Sequence, residues 1–402
     1  MSAPGGGAQV SVLRDLSGAR LESLPPLSLY VHIPWCVRKC PYCDFNSHEN
    51  KGELPEDEYC AALLRDLELS LPLVWGRRID SIFFGGGTPS LFSARSIDGL
   101  ISGIRALVPL AADCEITLEA NPGTFEAEKF RDFRAAGVTR LSIGIQSFNP
   151  RHLKALGRIH DDNEARRAIE SAARAFDNFN LDLMYALPGQ TEEEALCDAE
   201  EAIGWRSSHL SFYHLTIEPD TLFYRRPPVI PDADAAAAIE DAVHGSLQSA
   251  GFDQYETSAF ARGGQRCRHN LNYWEFGDYL GLGAGAHSKL SFANRILRQT
   301  RTKQPREYLK RVAAGEPVLE EKLLGRSDAV FEFMMNALRL TAGFPVALFQ
   351  ERTGLPISAA AKALNAAESR GLIVRDHLRI APSELGRRFL NDLLEMFLPE
   401  TR

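Results

Sequence analysis

The run Cys36-Val-Arg-Lys-Cys40-Pro-Tyr-Cys43 sets three thiols within eight residues, at the spacing C-x3-C-x2-C. Soft thiolates select zinc, copper(I) or iron–sulfur clusters. A structural zinc closes its shell with four ligands, and no fourth cysteine follows nearby. With His48 the trio could form a Cys3His zinc site, or the three could be ordinary buried thiols. A cubane held by three cysteines instead leaves one iron free of protein, and that iron can bind a substrate. The remaining cysteines, Cys60, Cys114, Cys197 and Cys267, are scattered and read as small core residues.

Such a loop needs a rigid support. Strand-like runs occur at 27–33, 79–84, 115–119, 140–146, 180–184 and 209–215. Amphipathic helical stretches separate them at 56–71, 93–108, 124–136, 161–175 and 191–204, the last opening with the capping box Thr191-Glu-Glu-Glu194. Strands alternating with helices imply βαβ units and a parallel sheet. Right-handed crossovers curl that sheet into a barrel or partial barrel.

Each strand run ends in a polar or glycine-rich stretch. The first is followed by the cysteine loop and the second by Gly85-Gly86-Gly87-Thr88-Pro89. The third ends at Glu119-Ala-Asn121-Pro122 and the fourth at Gln146-Ser-Phe-Asn149. The fifth carries Asp182 and then Pro188-Gly189, and the sixth Tyr213, His214 and Glu218-Pro219. In (β/α) barrels the site lies at the C-terminal strand ends, so one shared site is expected there. Tyr30 and His32, two apart, face the same side of the first strand, just before the cysteine loop. Glycines let a ligand approach backbone, and no Gly-Lys-Ser/Thr follows the triplet, which disfavours a nucleotide P-loop.

Beyond residue 251 the pattern changes. Cys267-Arg-His269-Asn270-Leu-Asn-Tyr273-Trp274 is polar and aromatic, and Gly281, Gly283 and Gly285 permit close packing or a ligand. The last part reads as helices at 328–340, 347–353 and 358–370, short strands at 372–375 and 378–380, and a helix at 383–397. That order is winged-helix-like, but acidic and basic residues are nearly balanced there, so no nucleic-acid footprint is expected. The expected organisation is a flexible N-terminus (1–24), a barrel core (25–260), a connecting segment (261–325) and a small, mainly helical C-terminal domain (326–402).

The 402 residues suit one large and one smaller domain. A hydrophobic content of 45% with 24% charged residues is that of a soluble globular protein, and a net charge of −8 argues against general attraction to nucleic acid or anionic lipid. The clustered thiols argue for a reducing compartment, and a cytoplasmic location is expected. No apolar run approaches transmembrane length. Residues 1–7 lack the pattern of a secretory signal, and Asp15 argues against an organelle address at 12–20.

Tyr30-Val-His-Ile-Pro, the cysteine loop, Gly-Gly-Gly-Thr-Pro, Arg140-Leu-Ser-Ile-Gly-Ile-Gln146-Ser-Phe-Asn149 and Asp182-Leu-Met-Tyr-Ala-Leu-Pro188-Gly189 together resemble the coproporphyrinogen-oxidase-like branch of the radical S-adenosylmethionine (SAM) superfamily. Oxygen-independent coproporphyrinogen III oxidases carry a further cysteine two residues after the third, where this chain has Phe45. That residue and His269-Asn-x-x-Tyr273-Trp274 are similar to the HemW-type haem chaperones. The resemblance implies an α/β fold with a partial barrel of about six parallel strands. It implies a [4Fe–4S] cluster on Cys36, Cys40 and Cys43. It further implies a SAM site including Tyr30, Tyr42, Gly86, Gly87, Thr88, Glu119, Gln146, Arg158 and Asp182, with Tyr213 and the glycines before His287 as further contacts. His269 is the residue it suggests for haem. The implied function is haem transfer to apo-haemoproteins, with an electron donor such as flavodoxin or ferredoxin. The alternative is a coproporphyrinogen dehydrogenase-like oxidoreductase of porphyrin biosynthesis. Whether SAM is turned over, and the oligomeric state, are left open at this point.

Overall fold

A computed structural model describes residues 20–123 and 128–399. Of the expected flexible segment 1–24, only the last five residues are described, and Leu21 there is buried, its N–H donating to the Ala293 carbonyl. The expectation for residues 12–20 lies outside the described residues except at Arg20.

The six expected strands form: β1 (Leu27–Ile33), β2 (Ile79–Gly86), β3 (Leu110–Ala120), β4 (Arg140–Gln146), β5 (Phe179–Tyr185) and β6 (His209–His214). All six pair in parallel, in chain order. Six further strands extend the sheet: β7 (Asp253–Glu256), β8 (Ala259–Ala261), β9 (Asp278–Leu282), β10 (His287–Phe292), β11 (Arg295–Arg301) and β12 (Val318–Leu323). The order is β12-β11-β10-β9-β1-β2-β3-β4-β5-β6-β8-β7. β9 adds a seventh parallel strand beside β1, and β8 and β10 pair antiparallel to their neighbours. Residues 261–325, read above as a connecting segment, thus supply four strands of the same sheet. Their short length and polar residues hid the strand period.

Alternation explains the layering. Leu27, Leu29, Val31 and Ile33 of β1, Ile82 and Phe84 of β2, and Ile116 and Leu118 of β3 lie in one apolar core with the surrounding helices. The opposite face is polar, and its groups bond one another. Ser28 Oγ meets Ser81 Oγ at 2.8 Å, Ser142 Oγ donates to Asp182 at 2.8 Å, and Asn180 Nδ2 donates to Ser142 and Asp182 at 2.8 Å each. The barrel therefore has an apolar outside and a polar inside.

The helices begin at the caps the sequence marks. Ser93 accepts from the Ser96 N–H, and capping boxes close Asp161/Glu164 and Thr191/Glu194. The first helix, Glu56–Val74, runs past Pro72, because Val74 gains burial that offsets the lost hydrogen bond. Of the helix expected from residue 124, the described part is Phe130–Ala135. Cys114 and Cys267 are buried, whereas Cys197 is exposed, on the face of its helix opposite the buried Ala195 and Ala199.

The C-terminal unit packs helices Arg326–Ala337, Val346–Thr353 and Ala361–Ser369 against a three-stranded sheet, around its own core. The last helix is broken in two, Glu384–Arg388 and Leu390–Glu395, by non-helical backbone at Phe389. Gly386 presses on the Leu372 carbonyl, where a Cβ would come within 1.8 Å, and the break turns Leu393 and Phe397 into the core. Among the described residues no helix is long and apolar enough to cross a membrane.

A buried ion network ties β11 to the barrel. Arg301 Nη2 donates to Asp66 Oδ1 at 3.0 Å with both side chains fully buried, and Tyr308 OH and Ser70 also donate to Asp66. Asp66→Ala leaves an uncompensated guanidinium in the core and is expected to cost about 3–5 kcal/mol, read as a lower denaturant midpoint.

Candidate functional site

The cysteine loop is tied at both ends. Trp35-Cys36 pairs in parallel with His48-Glu49, and the Cys43 N–H closes a turn on the Cys40 carbonyl. Asn46 is the pin. Its amide donates to Ala284 O and Lys303 O at 2.9 Å each, and its carbonyl meets His32 Nε2 at 2.9 Å. A carbonyl only accepts, so Nε2 carries the proton and Nδ1 accepts from Tyr30 OH at 3.0 Å. Burial pushes the His32 pKa down to about 4, which keeps the ring neutral. His32, on the same side of β1 as Tyr30, thus supports the loop through the loop's backbone.

The glycines are there for close approach. A Cβ on Gly86, whose φ is +123°, would sit 2.7 Å from the His32 ring, and one on Gly87 would sit 2.5 Å from Trp35 O. Gly283 presses on His32 O and Gly285 on Asn46, with a Cβ at 2.4 Å in each case. The glycine run before His287 therefore braces β1 and the loop and does not line the cavity.

One cavity of about 380 Å³ opens at the C-terminal ends of β1–β6. It is lined by Cys36, Cys40 and Cys43, by Tyr42, Gly86, Gly87, Thr88, Glu119, Gln146, Arg158 and Asp182, and by Tyr213. Two of the expected residues are elsewhere. Tyr30 lies beneath it, bonded to His32 and stacked on Phe83. His269 lies in the barrel floor, only 1% exposed, its ring bonded to Ser81 Oγ at 2.9 Å and Tyr273 OH at 3.1 Å. Burial pushes its pKa down to about 3. Buried, with both ring nitrogens engaged and outside the cavity lining, His269 is not placed to ligate haem.

The cavity wall is a chain of polar contacts. Arg158 donates to Asn121 Oδ1 at 2.7 Å, to Gly144 O at 2.8 Å and to Cys40 Sγ at 3.6 Å. Asn121 donates to Thr88 Oγ1 at 2.8 Å, and Thr88 to Cys36 Sγ at 3.5 Å. Gln146, at φ +69°, leaves β4 through an irregularity after Gly144, a non-glycine left-handed residue of the kind found at functional sites. Burial, then the charge of Asp182, push the Glu119 pKa up to about 8, against the Gly86 N–H that donates to its carboxylate at 3.1 Å.

The three thiols are free, and burial raises those of Cys36 and Cys43. Among the described residues, no three Cys, His, Asp or Glu side chains converge as one metal ion requires. His48 Nε2 is engaged by Asn46 and Lys303 O, and His48 is not among the residues that line the cavity with the thiols. Three soft donors on one cavity, each free to take a separate iron, fit a cluster better than a zinc ion. Asn121, Ser142, Met184 and His214 also line this cavity although the resemblance assigned them no role. For Asn121 and His214 the signal was their place at strand ends; for Ser142 and Met184 it was strand alternation.

Residues 30–200 match the Radical SAM superfamily, and residues 324–389 match the HemN C-terminal domain. The chain is 51% identical over 384 residues to "Heme chaperone HemW" of Escherichia coli (strain K12), covering 94% of this chain and 100% of that one. It is 34% identical over 387 residues to "Radical S-adenosyl methionine domain-containing protein 1, mitochondrial" of Mus musculus, covering 93% and 87%. The solved structure of coproporphyrinogen III oxidase (HemN) from Escherichia coli shares the fold, with a TM-score of 0.80 at 24% identity over 95% of this chain and 92% of that one.

Two outcomes are expected. Gly86→Ala forces the His32 ring off Asn46, so it should lower both the iron content and the SAM affinity; loss of SAM affinity alone would place the effect on the ligand. Glu119 holds its proton up to about pH 8 in the folded chain, against an ordinary value of 4.5. The cluster-free wild type therefore loses stability as pH rises between these values. Glu119→Gln should match it near pH 5 and exceed it above pH 8 in thermal denaturation.

Proposed function

We infer that this chain, which belongs to the HemW haem-chaperone family of the radical SAM superfamily, binds haem as cargo and delivers it to apo-haemoproteins. The observation that carries this reading is Phe45. Where the oxidases of the resemblance have a fourth cysteine, this chain presents a phenylalanine 63% exposed at the mouth of the cavity. That side chain offers a flat apolar contact and no thiol.

Within this reading Cys36, Cys40 and Cys43 hold the [4Fe–4S] cluster. When bound, cluster and SAM supply a low-potential electron and a cleavable sulfonium. Gly86, Gly87 and Thr88 bring backbone close to the SAM amino group, whose positive charge would favour the ionised form of Glu119, which would then accept from it. Arg158, fixed by Asn121 and Gly144 O, suits the SAM carboxylate by charge, and Asp182 suits the ribose hydroxyls. Tyr42 covers the loop beside Phe223, at 6.3 Å between ring centroids. The reading places the protein in the cytoplasm, where clustered thiols stay reduced, with a flavodoxin- or ferredoxin-like donor.

The test is anaerobic. The cluster-reconstituted chain is titrated with haem, and separately incubated with coproporphyrinogen III, SAM and reductant. Stoichiometric haem uptake without protoporphyrinogen is expected, and Cys40→Ser should lose iron from the cluster. Conversion of coproporphyrinogen III would move the assignment to the oxidase.

A further inference from the structure

A cysteine that ligates iron is a thiolate, and a thiolate has no proton to give. Every hydrogen bond at a cluster ligand has to be donated to the sulfur. Each of the three thiols has one side-chain donor within reach. Ser47 Oγ lies 3.7 Å from Cys43 Sγ, Thr88 Oγ1 3.5 Å from Cys36 Sγ and Arg158 Nη1 3.6 Å from Cys40 Sγ. The donors come from three separate segments: the cysteine loop itself, the stretch just after β2, and the turn after the helix Pro150–Ala155.

Two of these donors are shared. Thr88 accepts from Asn121 Nδ2 at 2.8 Å, and Arg158 also donates to Asn121 and to Gly144 O. Both belong to the wall that suits SAM. Ser47 differs from them. It lines the cavity and is buried, at 6% exposed. Among the described residues its hydroxyl bonds no oxygen or nitrogen; its partners are the sulfurs of Cys43 and Cys36. Its place is fixed by backbone and not by that hydroxyl. The Ser47 N–H donates to Phe45 O at 2.7 Å, and Ser47 O accepts from Lys39 Nζ at 3.4 Å. On either side of it, Asn46 and His48 are both bonded to Lys303 O. The loop therefore holds a hydroxyl beside sulfur without needing it for its own shape.

We propose that Ser47 tunes the cluster: its O–H donates to the Cys43 thiolate and raises the reduction potential of the [4Fe–4S] couple. The proposal rests on the cluster of the chaperone reading. Reduction adds one electron, taken from the flavodoxin- or ferredoxin-like donor, and makes or breaks no bond. The added charge spreads onto the ligand sulfurs, so a donor there stabilises the reduced form more than the oxidised one. Capture of the electron becomes easier and its delivery to the SAM sulfonium harder. The hydroxyl thus biases the cluster toward holding SAM over cleaving it, which suits a protein that carries cargo.

The experiment uses the full chain, cluster-reconstituted under anaerobic conditions and free of SAM. The midpoint potential is read by titration with dithionite, following the electron paramagnetic resonance signal of the reduced cluster. Ser47→Ala should keep the wild-type iron content and show a lower midpoint. Ser47→Thr keeps a hydroxyl and should stay close to wild type. An unchanged midpoint in Ser47→Ala overturns the proposal. So does a Ser47→Thr midpoint that falls as far as that of Ser47→Ala, since packing and not the hydroxyl would then set it. Iron loss from Ser47→Ala also overturns it, and makes the residue a brace of the loop; each of these results leaves the cluster assignment in place. A wild-type chain that assembles no [4Fe–4S] cluster overturns both the proposal and the reading it rests on.

Discussion

The structure depends on an inversion: the barrel strands are apolar toward their helices and polar toward the barrel axis. A polar interior is costly unless its groups bond one another, and here many do, although Thr117 Oγ1 and Arg140 Nε have no hydrogen-bond partner among the described residues. His209 joins Asn180 and Tyr255 at 2.7 and 2.8 Å, and Glu115 accepts from the His269 N–H at 3.1 Å. The floor is closed by this network, and the helix Arg268–Trp274 packs into it. Only the upper end keeps polar groups open to a ligand.

The loop that carries the thiols cannot hold its own shape. It has two-residue pairings and one turn, and its rigidity comes from a partner more than two hundred residues away. Asn46 reads the backbone of Ala284 and Lys303, while Tyr59 OH donates to His32 O at 3.0 Å and accepts from the Ala284 N–H at 2.9 Å. The Asp66–Arg301 network fixes the strand beyond. Asp278, bonded to Lys289 at 3.0 Å and Arg77 at 2.7 Å, fixes the strand before. Residues 261–325 thus act as the wall against which the cysteine loop is set.

The cavity itself has two chemistries at two depths. Its wall has charge and hydrogen-bonding groups, from Arg158 through Asn121 and Thr88 to the thiols. Its mouth has the exposed apolar side chains of Val37, Phe45 and Ile159. A single small polar ligand uses the first and leaves the second uncovered, so the rim makes physical sense with a second, flatter occupant.

What the sequence determined by itself was local or periodic. The period-two pattern of β1–β6 located the strands and which residues face inward, the capping residues located the helix starts, and the C-x3-C-x2-C spacing located the cluster loop. Those signals placed most of the cavity, since residues at consecutive strand ends meet once the strands are parallel. Tertiary structure decided the rest. His269 and His214 each have aromatic residues within a few positions, yet one lies in a satisfied floor and the other is exposed at the end of β6; burial is set by packing across the sheet, not by neighbours in the chain. The glycines at 283 and 285 read equally as ligand contacts or as packing, and only their approach to His32 and Asn46, away from the cavity, separates the two. The four strands at 278–323 are short and mostly polar, so their period is weak; β9 is fixed by pairing with β1, and β10 to β12 by pairing in turn with β9 and one another.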